Sequence, residues 1–205
     1  REIGIYLSMR GSSVLIIDAD ILGSMTQSLY CLPLDVNLEP GTLYDALADG
    51  RVVLYSVLET LYLLKSDIRL AYLERSLEDA EDGGIRLKRL LADDLFAGFD
   101  FILIDAPSNL DTLCLNVLAA ATHYVVPINP ALFTMYGNAE LIRCVTMVRS
   151  RYNPDLKLLG SVINAFERAP SVSRRIESAL VSSFSDAFFS SVLSRTPKVD
   201  TALAL

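Results

Sequence analysis

The sequence predicts an α/β fold: a mostly parallel sheet with helices on both faces. Short apolar runs at Val14–Ile17, Phe101–Ile104, Tyr124–Ile128 and Leu158–Ile163 are continuous rather than alternating, as in strands buried on both sides. Segments of helical period separate them, the alternation of a parallel sheet with crossover helices. The 205 residues are 52% hydrophobic, with a mean hydropathy of +0.38, enough for a two-sided core in one large domain spanning residues 1–205.

Each element has a local reason. Ile3, Tyr6 and Leu7 fall at helical spacing in residues 2–10, and Gly11 follows as a C-terminal cap. After the strand Val14–Ile17, residues 18–27 read as a polar loop at the carboxyl end of the strand, where open α/β sheets bind ligands. Pro40-Gly41 marks a turn, and Thr42 with Asp45 forms a capping box for a short helix that stops at Gly50. Within 51–84 a strand at Leu61–Leu64 and a helix at Leu70–Leu77 precede the acidic 78–82 patch and the Gly83-Gly84 break. Leu87, Leu90, Leu91 and Leu95 share a helical face ahead of the strand Phe101–Ile104. Helices follow at Thr112–Ala121 and Glu140–Arg151, the second halted by Asn153-Pro154. Ser171 or Ser173 caps a helix carrying Ile176 and Leu180, and Val192-Leu193 supplies a last strand.

Composition excludes several classes. No apolar run approaches the roughly 20 residues of a bilayer span, so a soluble, cytoplasmic chain without a transmembrane helix is expected. Arg1-Glu2 opens on a helical pattern unlike a signal peptide, and an upstream segment is expected. Cys31, Cys114 and Cys144 are too scattered for a zinc site or a disulfide framework. His123, the single histidine, precedes a strand and reads as structural. The net charge of −7 is uneven: residues 1–140 hold 9 Lys/Arg against 20 Asp/Glu, and residues 141–205 hold 9 against 5. A local anionic partner for the C-terminal third is compatible with that asymmetry.

The chemistry-bearing feature is a set of strand-end carboxylates. Asp18 and Asp20 follow one buried strand and Asp105 another, the arrangement of the metal-and-water half of a nucleotide hydrolase. The phosphate-binding half would be G-x-x-x-x-G-K-[ST], which does not occur in this sequence.

Three segments in order carry a family resemblance. Val14-Leu15-Ile16-Ile17-Asp18-Ala19-Asp20, with Gly23 and Thr26-Gln27-Ser28-Leu29, resembles V-L-L-I-D-x-D-P-Q-G-N-x-T-x-x-L of the ParA family. Phe99-Asp100-Phe101-Ile102-Leu103-Ile104-Asp105-Ala106-Pro107-Ser108, then Leu113, Leu115-Asn116 and Leu118, resembles its Y-D-Y-I-L-I-D-x-P-P and L-T-x-N-A-L. Asn153-Pro154-Asp155-Leu156 with Leu159-Gly160 is similar to N-P-x-L-x-x-x-G. The resemblance implies a P-loop NTPase-like fold of the deviant Walker A group (ParA/MinD/Soj). Its first strand and P-loop would lie upstream of Arg1, so this fragment alone is expected to bind ATP poorly and to be inactive.

By the same resemblance Asp20 orients and polarises the attacking water, and Asp105 is the Walker B carboxylate holding Mg²⁺ through a water shell. Asp18 either supports the metal's outer shell or ends the strand. Gly23, Thr26, Pro107 and Ser108 fall in switch-like loops, where Ile21-Leu22 replaces the usual Pro-Gln and Ser108 a second Pro. Asn164 is a candidate for reading the adenine or a turn former, and Ser194-Arg195-Thr196 resembles the P-R-N turn on the other side of the nucleotide. Arg168, Arg174, Arg175, Arg195 and Lys198 are candidates for DNA phosphates, or the solvated face of a helix.

The expected activity is that of a ParA-type ATPase for plasmid or chromosome partitioning, using ATP and Mg²⁺. Its partners would be a second copy in an ATP-dependent homodimer, nonspecific DNA and a centromere-binding protein; nucleoid association would follow. The alternatives are a MinD-like membrane-associated ATPase, which needs a C-terminal amphipathic helix, and a nonhydrolysing regulatory homologue. No substrate motif points to the amidotransferase-like synthetases of the wider superfamily.

Overall fold

The computed structural model describes residues 1–30, 40–78, 82–128, 134–166 and 188–194; the helix expected around Ile176 and Leu180, with its Ser171 or Ser173 cap, lies outside them. The chain forms two compact units, Arg1–Ala121 with Ser150–Asn153, and Thr122–Arg149 with Pro154–Leu205.

The first unit runs through α1 (Glu2–Met9), β1 (Val14–Asp18), α2 (Ser24–Tyr30), α3 (Leu43–Asp49), β2 (Tyr55–Leu58), β3 (Leu61–Leu64), α4 (Leu70–Glu78), α5 (Arg86–Leu90), β4 (Phe101–Asp105) and α6 (Thr112–Ala120). Its four strands lie in the order β2-β3-β1-β4. β1 is parallel to both neighbours, in a register that sets Val14 opposite Leu61 on one side and Asp18 opposite Asp105 on the other. β2 is antiparallel to β3.

β1 is central, and its alternation explains the unbroken apolar run. Leu15 and Ile17 face one layer with α3, α4, α5 and α6, through Leu43, Leu70, Leu73, Leu87, Leu113 and Val117. Val14 and Ile16 face the other, with Ile5 and Leu7 of α1 and Met25 and Leu29 of α2. α1 lies so close that a side chain begun at Gly4 would meet Ile16 Cδ1 at 2.6 Å. Two asparagines of the recognised motifs are structural: Asn116 donates to the carbonyls of Gly83 and Thr112 and accepts from Leu87 N–H. Asn153 donates to the carbonyls of Leu118 and Ala121, closing the end of α6.

The second unit contains β5 (His123–Ile128), α7 (Thr134–Arg151, whose last residues belong to the first unit), β6 (Lys157–Phe166) and β7 (Phe188–Ser194). These strands form a parallel sheet in the order β5-β6-β7. Val126 and Ile128 are buried among Tyr124, Leu141 and Leu158.

Several boundaries differ from the sequence reading. Residues 18–27 are not one loop: Asp18 completes β1, and α2 begins at Ser24. α2 lacks an apolar period legible in isolation, and its Thr26 N–H is capped by Asp18, a residue outside the helix. β2 was not expected; it is held by pairing with β3 rather than by its own pattern. α7 starts at Thr134 rather than Glu140, across Gly137, a weak helix former. β6 continues to Phe166, carried past Ile163 by its pairing with β7.

At the start of α3, Asp45 accepts from the N–H groups of Gly41 and Thr42 at 2.8 and 3.1 Å, the expected capping arrangement. Arg69 donates to both its oxygens, at 3.0 and 2.9 Å, and also to Asp67, while packing over the Tyr44 ring. Burial alone would raise the Asp45 carboxyl, but the Arg69 bonds, the two N–H groups and the Arg69 charge prevail and bring it down from 3.8 to about 2. A depressed carboxylate stabilises the fold above its unfolded value and ceases to do so as pH falls through its folded one. The stability advantage of wild type over Asp45→Asn, followed by urea denaturation, is therefore expected to shrink as pH falls from 3.8 to about 2; an advantage independent of pH would contradict this account.

Candidate functional site

The parallel register delivers Asp18 and Asp105 side by side at the carboxyl ends of β1 and β4, the edge where α/β sheets place their ligands. Ala19 N–H donates to the Asp105 carbonyl at 3.0 Å, extending this pairing one residue into the loop.

Asp18 is fully buried. Its Oδ2 accepts from both the N–H and the hydroxyl of Thr26, each at 2.7 Å, and its Oδ1 accepts from Asp20 N–H at 3.1 Å. Burial raises its pKa, and these bonds only partly counteract that. With both oxygens engaged, the side chain ties the loop to the end of α2.

Asp20 stands two residues further on and is only partly buried. Its Oδ1 accepts from Leu22 N–H at 2.9 Å and its carbonyl from Gly23 N–H at 3.0 Å, a tight turn closed by Gly23 at φ 60°. Asp105 is also half-buried, and among the described residues its carboxylate accepts no hydrogen bond. Burial raises its pKa, and the negative charges of Asp18 and Asp20 add to the rise. Strand register and the short loop bring the three carboxylates within electrostatic reach of one another, a repulsive arrangement that a cation would relieve.

Magnesium suits this edge better than a protein-caged metal. Among the described residues no group of three or more His, Cys, Asp or Glu side chains could hold a metal ion by itself. Mg²⁺ instead keeps most of its waters and takes one or two carboxylates plus phosphate oxygens. Asp105 has the free oxygens for that, and Asp18 does not.

Sequence reading missed Ser66. It lies two residues past the end of β3 and is almost fully buried. Its N–H donates to Thr26 Oγ1 at 3.0 Å, and its hydroxyl donates to the Asp20 carbonyl. Its position beyond a strand parallel to β1 was the available signal; no motif marks it.

Of the other expected residues, Gly23 and Thr26 are in this loop, and Pro107 and Ser108 lie on the segment leaving β4. Asn164 lies inside β6 and not past its end, and Ser194 ends β7, both in the second unit. Arg168, Arg174, Arg175, Arg195 and Lys198 lie outside the described residues. Cys114 and Cys144 are buried and form no disulfide, and His123 is exposed at the start of β5. Among the described residues, no helix is long and apolar enough to cross a membrane.

Residues 2–158 match the AAA domain family. The chain is 31% identical to the chromosome-partitioning ATPase Soj of Treponema pallidum, over 98% of this chain and 78% of that protein. This chain belongs to the ParA/Soj family of P-loop ATPases. The ParA chromosome-partitioning protein of Caulobacter vibrioides is 28% identical, over 98% of this chain and 76% of the relative. The crystal structure of cobyrinic acid a,c-diamide synthase from Mycobacterium smegmatis with bound ADP and magnesium superposes with a TM-score of 0.84 at 30% identity, covering 98% of this chain and 82% of that one.

Thr26 is where the ParA/Soj loop is fastened, since its hydroxyl both donates to Asp18 and accepts from Ser66. Thr26→Val keeps the shape and strands both partners, so a loss of about 1–3 kcal/mol is expected. Urea denaturation checks it, and Thr26→Ser, which retains the hydroxyl, should recover most of the loss.

Proposed function

We propose that this chain is the switch domain of a partition ATPase, in which ATP with Mg²⁺ brings two copies together, the dimer holds DNA without sequence preference, and a centromere-bound protein triggers hydrolysis and release. The observation that carries this reading is the meeting of Asp18, Asp20 and Asp105 at one sheet edge, in a family whose relatives include chromosome-partitioning ATPases.

Each side chain has a distinct task. Bound Mg²⁺ would neutralise charge developing on the phosphates. Asp105 would hold that ion through its waters, with two oxygens open to them. Asp20, anchored through one oxygen at Leu22 N–H, would direct the other to an attacking water, fixing its orientation and accepting its proton. Asp18 would keep Asp20 in place by bonding its N–H and by holding Thr26. Gly23, Pro107 and Ser108 would supply the segments that respond to the terminal phosphate.

The nucleotide's base would be read by Asn164, Ser194 and Arg195. DNA phosphates would meet Arg168, Arg174, Arg175, Arg195 and Lys198, supported by the basic surplus of the C-terminal third. Such contacts make affinity fall steeply with salt and leave it indifferent to sequence.

The likeness to the Mycobacterium smegmatis synthase favours a second reading, an ATP-dependent amide-forming synthetase on the same nucleotide site. In the full-length protein, DNA retention is expected with ATP and not with ADP or without nucleotide; equal retention in all three states would refute the switch. Asp20→Ala should lower ATP hydrolysis by about 10²-fold or more, and hydrolysis that required a carboxylic acid and ammonia would decide for the synthetase.

A further inference from the structure

We propose that Ser66 is a positioning residue for hydrolysis, holding the main chain of Asp20 so that its carboxylate keeps its aim; this rests on the ATPase reading of the site. Two bonds from one residue reach the two ends of the same loop. The Ser66 hydroxyl donates to the Asp20 carbonyl, and its N–H donates to Thr26 Oγ1. Thr26 in turn donates to Asp18, and Asp18 accepts from Asp20 N–H. Asp20 is thus gripped at its N–H from β1 and at its carbonyl from the segment beyond β3, while its side chain remains partly exposed.

An anchor works only if it is stiffer than what it holds. The segment carrying Ser66 is bound on its far side as well: Leu43 N–H donates to the Lys65 carbonyl at 2.7 Å, and Thr42 Oγ1 donates to Asp67 at 2.6 Å. Arg69 then joins Asp67 to Asp45 of α3. Ser66, at 3% exposure, therefore transmits the position of a charged, fully bonded cluster to the loop that bears Asp20. A serine that merely satisfied its own hydroxyl could have bonded anywhere within reach. This one bonds the carbonyl of the residue whose carboxylate faces the reaction.

The test uses the full-length protein and four forms: wild type, Ser66→Ala, Asp20→Ala and the double variant. Ser66→Ala keeps the N–H bond to Thr26 and loses only the grip on Asp20. It is expected to lower kcat between about 10- and 10²-fold, with nucleotide affinity within about twofold and the thermal midpoint near that of wild type. In the double variant the Ser66 change should cost nothing further, because its effect passes through a carboxylate already absent. Ser66→Thr, which retains the hydroxyl, should restore most of the rate. An unchanged kcat in Ser66→Ala, or an equal additional loss in the Asp20→Ala background, would overturn the proposal. Absence of hydrolysis by wild type would instead reject the ATPase reading.

Discussion

The parallel register of β1 and β4 is the constraint on which the site depends. Because Asp18 falls opposite Asp105, two carboxylates emerge from adjacent strands at the same height, the first fully buried and the second half-buried. Like charges held this close are unfavourable unless something shares them. The molecule resolves the conflict asymmetrically. Asp18 is wrapped in three hydrogen bonds and serves the loop, whereas Asp105 is left half-buried with its oxygens available. Identical chemical groups one strand apart thereby acquire different roles from their surroundings alone.

Around that pair the fold supplies rigidity from one direction. The cluster of Thr42, Asp45, Asp67 and Arg69 ties the end of β3 to α3 with charge-assisted bonds, and the adjacent Ser66 carries that rigidity to Asp20. Partner-dependent bonds of this kind are strong only while every member is present. The loop they hold has Asp18 and Thr26 buried and Asp20 partly exposed. The opposite layer is different in kind: α1 and α2 cover Val14 and Ile16 with aliphatic contacts and no charged cluster.

Family membership and geometry support each other at different levels. The likeness to partition ATPases of Treponema pallidum and Caulobacter vibrioides identifies the lineage, and the M. smegmatis structure with ADP and magnesium shows the same fold in a protein described as a synthase. The fold is therefore common ground between proteins with different activities.

Much of this was legible along the chain. The continuous apolar runs pointed to β1, β3 and β4; burial on both faces accounts for the run in β1, whereas β4 is only partly buried and exposes Phe101, and Gly50 and the Thr42–Asp45 pair bounded α3 because caps are local. Asp20 and Asp105 were legible as strand-end carboxylates. Elements stabilised from a distance were not: β2 depends on β3, α2 on a cap supplied by Asp18, and Ser66 on bonds to residues 40 and 46 positions away. Periodicity and capping are written in neighbouring residues, so sequence by itself determined the layers and the acidic strand ends. Which carboxylate is sequestered and which is left open depends on hydrogen bonds between distant segments, and only the tertiary structure could decide that.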